Sequence, residues 1–363
     1  FKVTGDASLG GNVTAATTID LDDVNGVVIT ADVELDAGTI DVASGASGAF
    51  TLTLDGMTSV DVVGTVTTQN LTTETAATVG TVTIAGNLNV SGGQLTTDVG
   101  GITVSGNAEL GSSVVSASGV TLGDATTDTL AISGGLVTIS TALNSQVEIN
   151  SATTLSSGLT ISTGAGVIRL NGTVNGNQAL TLNTTGLTEL NGVIGGVTPV
   201  ASLTTNASGT TKLGANISAT GGIDLNDTVS ITADVELDAT TIDVESGISD
   251  SGGTFTLILD GSTSVDVAGS ISTQNLTTET AATIGTVNIA GNLNVSGGQL
   301  TTDVGGITVG GTATTSAAVS SAGIFKVTGD ASLGGNVTAA TTIDLDDVNG
   351  VVITADVELD AGT

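Results

Sequence analysis

The chain has 363 residues, of which 39% are hydrophobic but only 1% aromatic, with 53 glycines, one proline and no Cys, His, Trp or Tyr. Its formal net charge is −32, from 36 acidic and four basic residues. These figures exclude a disulfide scaffold and thiolate metal sites, a basic surface for nucleic acid, and a wide core filled by aromatic rings.

A mean hydropathy of +0.42 argues against disorder, because disordered chains are poor in apolar residues. No apolar run reaches transmembrane length, so no membrane insertion is expected, and an anionic membrane surface is disfavoured by charge. Val, Ile and Thr dominate the apolar and polar positions, and β-branched residues suit strands. No long stretch shows a period of 3.6.

In chain order, a short pattern of outward, apolar, polar and apolar residues recurs. It reads TIDL at 18–21, TIDV at 39–42, SVDV at 59–62, TVTI at 81–84 and GITV at 101–104. It continues as GVTL at 119–122, LVTI at 136–139, GLTI at 158–161 and ALTL at 179–182. Blurred near 201, it resumes as GIDL at 222–225, TIDV at 241–244, SVDV at 264–267, TVNI at 286–289, GITV at 306–309 and TIDL at 342–345. The spacing is about 20 residues, within the range of stacked repeat architectures. Residues i and i+2 of a strand share a face, so Ile19 and Leu21, Ile40 and Val42, and their counterparts point inward. FTLTLDG at 50–56 and FTLILDG at 255–261 are expected in the other sheets of each coil. Gly and Asn at DG, NG and GG sites suit tight corners.

Longer repeats overlie this period. Residues 325–363 copy residues 1–39 without a change, an offset of 324. TADVELDA begins at Thr30 and Thr232, and QNLTTETAAT at Gln69 and Gln274, marking imperfect copies at 18–105 and 222–310. The extra residues of the second copy fall between Val244 and Phe255, in a loop, where a stacked repeat tolerates them. The expectation is an all-β fold: one continuous parallel β-helix (β-solenoid) over 1–363, about 20 residues per coil and right-handed by the usual crossover preference.

The stretch 170–227, with the phrases GTVNGNQALTLNTTG and GVIGGVTPVASLTTNASGTT, resembles the Thr/Gly/Asn-rich repeats of filamentous-haemagglutinin-like and autotransporter-like giant bacterial surface proteins. The resemblance implies an extracellular β-helical shaft on a bacterial cell surface. Adhesion, cell–cell contact or matrix formation would be its role, with surface glycans or other cells as partners. The perfect long copy departs from that family's drifting repeats. It points to continuation of the chain's own array, or to head-to-tail copies of it.

The middle polar residue of each pattern faces outward. In order these are Asp20, Asp41, Asp61, Thr83, Thr103, Thr121, Thr138, Thr160 and Thr181, then Asp224, Asp243, Asp266, Asn288 and Thr308. Two runs of three aspartates are thus expected to stack one coil apart, with Asp22 and Asp23 nearby. Charges ~5 Å apart repel by about 1 kcal/mol in water and more where partly desolvated. A hard cation, Ca²⁺ first, could bridge them through oxygen ligands. A solvated acidic face that keeps fibres apart is the competing reading, because DLDDVNG at 20–26 lacks the full spacing of a calcium loop. A β-helix polysaccharide-active enzyme needs paired carboxylates in a cleft or a basic residue beside a metal. With no His or Tyr, and no distinctive motif around Arg169, the chain is not read as an enzyme. Ice binding by the Thr83–Thr181 row is a third alternative, weakened by uneven coil lengths.

Overall fold

The computed structural model describes all residues except 76–80, 91, 99, 143, 251, 253, 280–285, 304, 347–348 and 363. The ends of both QNLTTETAAT phrases therefore lie outside the described residues. The fold is all-β, a parallel β-solenoid with roughly 20 residues per turn and no helix among the described residues. The chain divides into two compact units, Phe1–Leu187 and Thr188–Thr363.

In the first unit each turn carries three short strands. Val82–Ile84, Leu88–Val90 and Leu95–Thr97 form one turn, and Ile102–Val104, Ala108–Leu110 and Val114–Ser116 the next. Each strand pairs in parallel with its counterpart one turn on: Val82 with Ile102, Leu88 with Ala108, Leu95 with Val114. This defines three sheets, here called I, II and III in the order they occur within a turn. Near the start of the unit, strands of sheets III and I fuse across the corner. Val33–Val42 serves both, with a register shift between Ala37 and Thr39 where the chain bends.

Alternation places the apolar residues inside, as the sequence pattern requires. In sheet I, Leu21, Val42, Val62, Ile84, Val104, Leu122, Ile149 and Leu170 stand opposite one another in sequence, all buried. Such full burial is worth about 1.5–3 kcal/mol per side chain, and each side chain's main neighbour is its own equivalent one turn away. That explains a core without aromatics: every layer is small, and the layers are alike. The predicted role of 50–56 holds, since Leu52 and Leu54 stand between Val33 and Leu35 on one side and Leu71 and Thr73 on the other.

Towards the corner from sheet III to sheet I, one inward column changes from aliphatic to hydroxyl. Leu54 is followed by Thr73, Thr97 and Ser116, all buried, and Thr97 Oγ1 shares a hydrogen bond with Ser116 Oγ. Thr163 Oγ1 donates to Gly166 O at 2.8 Å in a later turn of the same sheet. These hydroxyls satisfy corner groups that the ladders leave free.

The second unit repeats the plan. Ile223, Ile242, Val265, Val287, Ile307, Phe325 and Ile343 succeed one another in its sheet I, counted from Gly222–Leu225. The hydroxyl column returns as Thr278, Thr302 and Ser321 after Leu259, with Thr302 Oγ1 to Ser321 Oγ at 2.6 Å. Tight corners use glycine where the chain requires it. Gly45 and Gly247 hold φ of +93° and +101°, and a Cβ there would meet the carbonyl oxygen of Thr65 at 2.1 Å or Ser270 at 2.4 Å.

Candidate functional site: the charged columns

All six predicted aspartates face outward, and register joins each set of three. Asp20 stands opposite Asp41 and Asp41 opposite Asp61; Asp224 stands opposite Asp243 and Asp243 opposite Asp266. The middle member of each run has its carboxyl pushed above the usual range, first by partial burial and then by neighbouring carboxylates. These are Asp20, Asp22 and Asp61 for Asp41, and Glu245, Asp224 and Asp266 for Asp243.

The columns run on as predicted for part of their length. Asp61 is followed by Thr83, Thr103 and Thr121, and Asp266 by Asn288 and Thr308. One expectation is corrected. The residue opposite Thr121 is Glu148, not Thr138, and Glu148 is followed by Arg169. Thr138, Thr160 and Thr181 form a separate column in sheet III. The chain between Leu122 and Val147 makes a longer circuit, so the next copy of the pattern belongs to a different sheet. The continuous Thr83–Thr181 row that ice binding would use is split into two columns of three.

The basic residues take part in these columns. Lys2 stands opposite Asp20 and its Nζ donates to Asp20 Oδ2 at 2.7 Å and to Asp22 Oδ2 at 2.5 Å. In the repeated segment, Lys326 stands opposite Asp344 and donates to Asp344 Oδ2 and, at 3.0 Å, to Asp346 Oδ2. The ammonium beside Asp22 holds that carboxyl below its usual range, and both lysines are raised by their carboxylate partners. Arg169 pairs with Glu148 at 3.6 Å and Lys212 with Glu189 at 3.7 Å. The four cations of the chain thus all neutralise acidic neighbours one turn away.

A second acidic column was missed by sequence reasoning. In sheet III, Asp36 stands opposite Asp55 and Asp55 opposite Glu74; in the second unit Asp238 stands opposite Asp260 and Asp260 opposite Glu279. Burial, then Asp36 and Asp98, raise Asp55; burial, then Asp238, Glu279 and Asp303, raise Asp260. The signal was present in the phrases LDA at 35–37 and LDG at 54–56, recurring at 237–239 and 259–261.

Asp23, expected among the surface charges, turns inward. It is 1% exposed and accepts from the backbone N–H of Ala7 and, at 2.8 Å, of Asn25. The equivalent Asp227 accepts from Thr205 Oγ1 at 3.1 Å and Thr211 Oγ1 at 2.8 Å, and burial raises its pKa. DLDDVNG is therefore a corner whose third aspartate, Asp23, ties adjacent chain segments together. Among the described residues no group of three or more acidic side chains is gathered around one point as a metal cage. The acids stand in single file, so a bridging cation would meet them in neighbouring pairs.

Comparison of the chain with protein-family models, curated proteins and solved structures finds no match.

Proposed function

We propose that this chain is a segment of the shaft of an extracellular filament or adhesin on a bacterial cell surface, serving adhesion, cell–cell contact or matrix formation. One observation carries the reading. Within the repeated 39 residues the described strand pairs take the same register in both units: Lys2 on Asp20, Val3 on Leu21 and Thr14 on Asp36 recur as Lys326 on Asp344, Val327 on Leu345 and Thr338 on Asp360. In the second unit Phe325 also lies against Ile307, one turn earlier, so the segment accepts a neighbouring turn on each side. A stack whose energetics are set by neighbouring repeats can be propagated by repeating its sequence. The resemblance of 170–227 to repeats of giant surface proteins supports the bacterial surface as the location. Calcium at the aspartate columns belongs to the same proposal as a stiffening agent, because a hard cation between paired carboxylates removes their repulsion.

Cryo-electron microscopy of native material, with and without a chelator, tests this. A thin fibre with ~4.8 Å axial spacing is the expected result; a compact particle would overturn the shaft. Fibre shape and thermal stability unchanged by chelation would remove calcium and leave the shaft intact.

A further inference from the structure

We propose that one face of the second unit, sheet II, is where two copies of this chain lie side by side. The inference rests on the shaft reading only for its strength, as set out below.

In the second unit the columns of sheets I and III carry carboxylates: Asp224, Asp243 and Asp266 on one, Asp238, Asp260 and Glu279 on the other. Sheet II differs. Its outward column runs Ser230, Ser249, Ser272, Asn294, Thr314 and Ser332. The flanking positions are equally free of charge over three turns. Ser270 and Gln274 flank Ser272, Asn292 and Ser296 flank Asn294, and Thr312 and Ser316 flank Thr314, all half-buried or exposed. Asp250 and Asp330 bound this block at either end. Beneath it the strands are held by Ile271, Leu293, Val295 and Ala313, all buried, so the face is fixed in shape.

Charge decides the occupant. A chain of net charge −32 repels its own copies, and like charges juxtaposed across an interface cost several kcal/mol. Over the turns of the block sheet III presents Glu279 and Asp303 and sheet I presents Asp266 before Asn288 and Thr308, so a second copy meets carboxylates on both and none on this block. The block is also self-complementary. Hydroxyl and amide groups both donate and accept, so one copy can satisfy another across a two-fold axis. Asn294 Nδ2 already donates to Ser272 Oγ at 3.2 Å along the column. Ser and Thr lose little rotamer freedom on burial, so the ordering cost is small. Three turns at ~4.8 Å spacing make a small contact, well under the size of a stable interface. Pairing is therefore weak for one block and accumulates where blocks recur along an array. The first unit carries a shorter counterpart, Ser47, Thr67 and Asn89, before Glu109 interrupts it.

The test is sedimentation velocity on the 363-residue chain over a range of concentration and salt. Added salt screens the acidic faces, so side-by-side dimers should increase with both variables. The triple variant Ser272→Asp, Asn294→Asp, Thr314→Asp should remain monomeric, while Thr83→Asp with Thr103→Asp should dimerise as the parent does. Circular dichroism checks that each outward substitution leaves the fold intact. A parent that stays monomeric throughout, or a triple variant that associates unchanged, overturns the proposal. So does a monomeric parent whose thermal hysteresis or glycan binding is lost in the triple variant, which would give the face to ice or sugar. Single unbundled shafts by microscopy would defeat lateral pairing and leave the shaft reading standing. Dimers without shafts would do the reverse.

Discussion

Lys2 stands directly opposite Asp20 and bonds both to it and to Asp22, just past the end of the neighbouring strand. One ammonium thereby neutralises the first carboxylate of a three-aspartate stack and the acid beside it. Lys326→Met removes the equivalent cation above Asp344 and Asp346. The turn from Ile343 to Ala361 should then open more readily, read as faster amide exchange and limited proteolysis there, with the rest of the second unit unchanged.

The stacked carboxyls set an unusual pH dependence. Asp41, Asp55, Asp227, Asp243, Asp260 and Glu236 are all raised, with burial the leading cause. A raised carboxyl binds its proton more tightly in the folded state. Its contribution is fully present below the unfolded value, near 3.8 for aspartate, and is lost as pH rises through the folded value. Asp22, lowered by Lys2, works in the opposite sense, and is outnumbered. The thermal midpoint should therefore rise on acidification from neutrality into the carboxylate range, whereas acid denaturation is the common behaviour. Calorimetry at fixed ionic strength checks the direction.

Salt and divalent ions should act on the same columns. Added monovalent salt should stabilise the fold by screening the stacked acids. Calcium should do so at lower concentration if it bridges neighbouring carboxylates. Asp41→Asn should weaken the calcium response in the first unit and itself raise stability in the ion's absence. Melting curves with sodium, magnesium and calcium separate screening from bridging.

Phe325 is fully buried between Ile307 of the preceding turn and Ile343 of the next. Phe325→Ala should cost about 3–5 kcal/mol, as for a buried phenylalanine. Amide exchange in that turn checks this where a single global unfolding transition would not.

Gly45→Ala and Gly247→Ala should each destabilise by about 1–3 kcal/mol, because φ is positive and the added carbon meets a backbone oxygen of the next turn. Gly135→Ala, at a corner with open space around it, is the control and should be near neutral.

Much of this arrangement was legible in the sequence. The apolar alternation at Ile19 and Leu21, and its recurrence at Ile40 and Val42, required parallel stacked strands, and the aspartate runs followed directly. The departure at Thr138 has a physical cause. All three sheets use the same apolar–polar–apolar motif, so the pattern marks a strand without naming its sheet, and a long circuit such as 122–147 misassigns the next copy. The Asp36–Asp55–Glu74 column was hidden for the related reason that those residues sat in phrases read for their repetition and not aligned turn on turn. Asp23 escaped because alternation ceases at a corner, where backbone direction alone decides that a carboxylate points inward.

Three strands per turn give this chain something like a reading frame. The step from Asp41 to Asp61 and the longer one from Thr121 to Glu148 both preserve the column, so residues added at corners are silent. Gain or loss of a single strand would instead rotate every later sheet by one position. Carboxylates would then land on the uncharged face. Selection on such a chain should thus tolerate residues added at its corners more readily than the gain or loss of one strand.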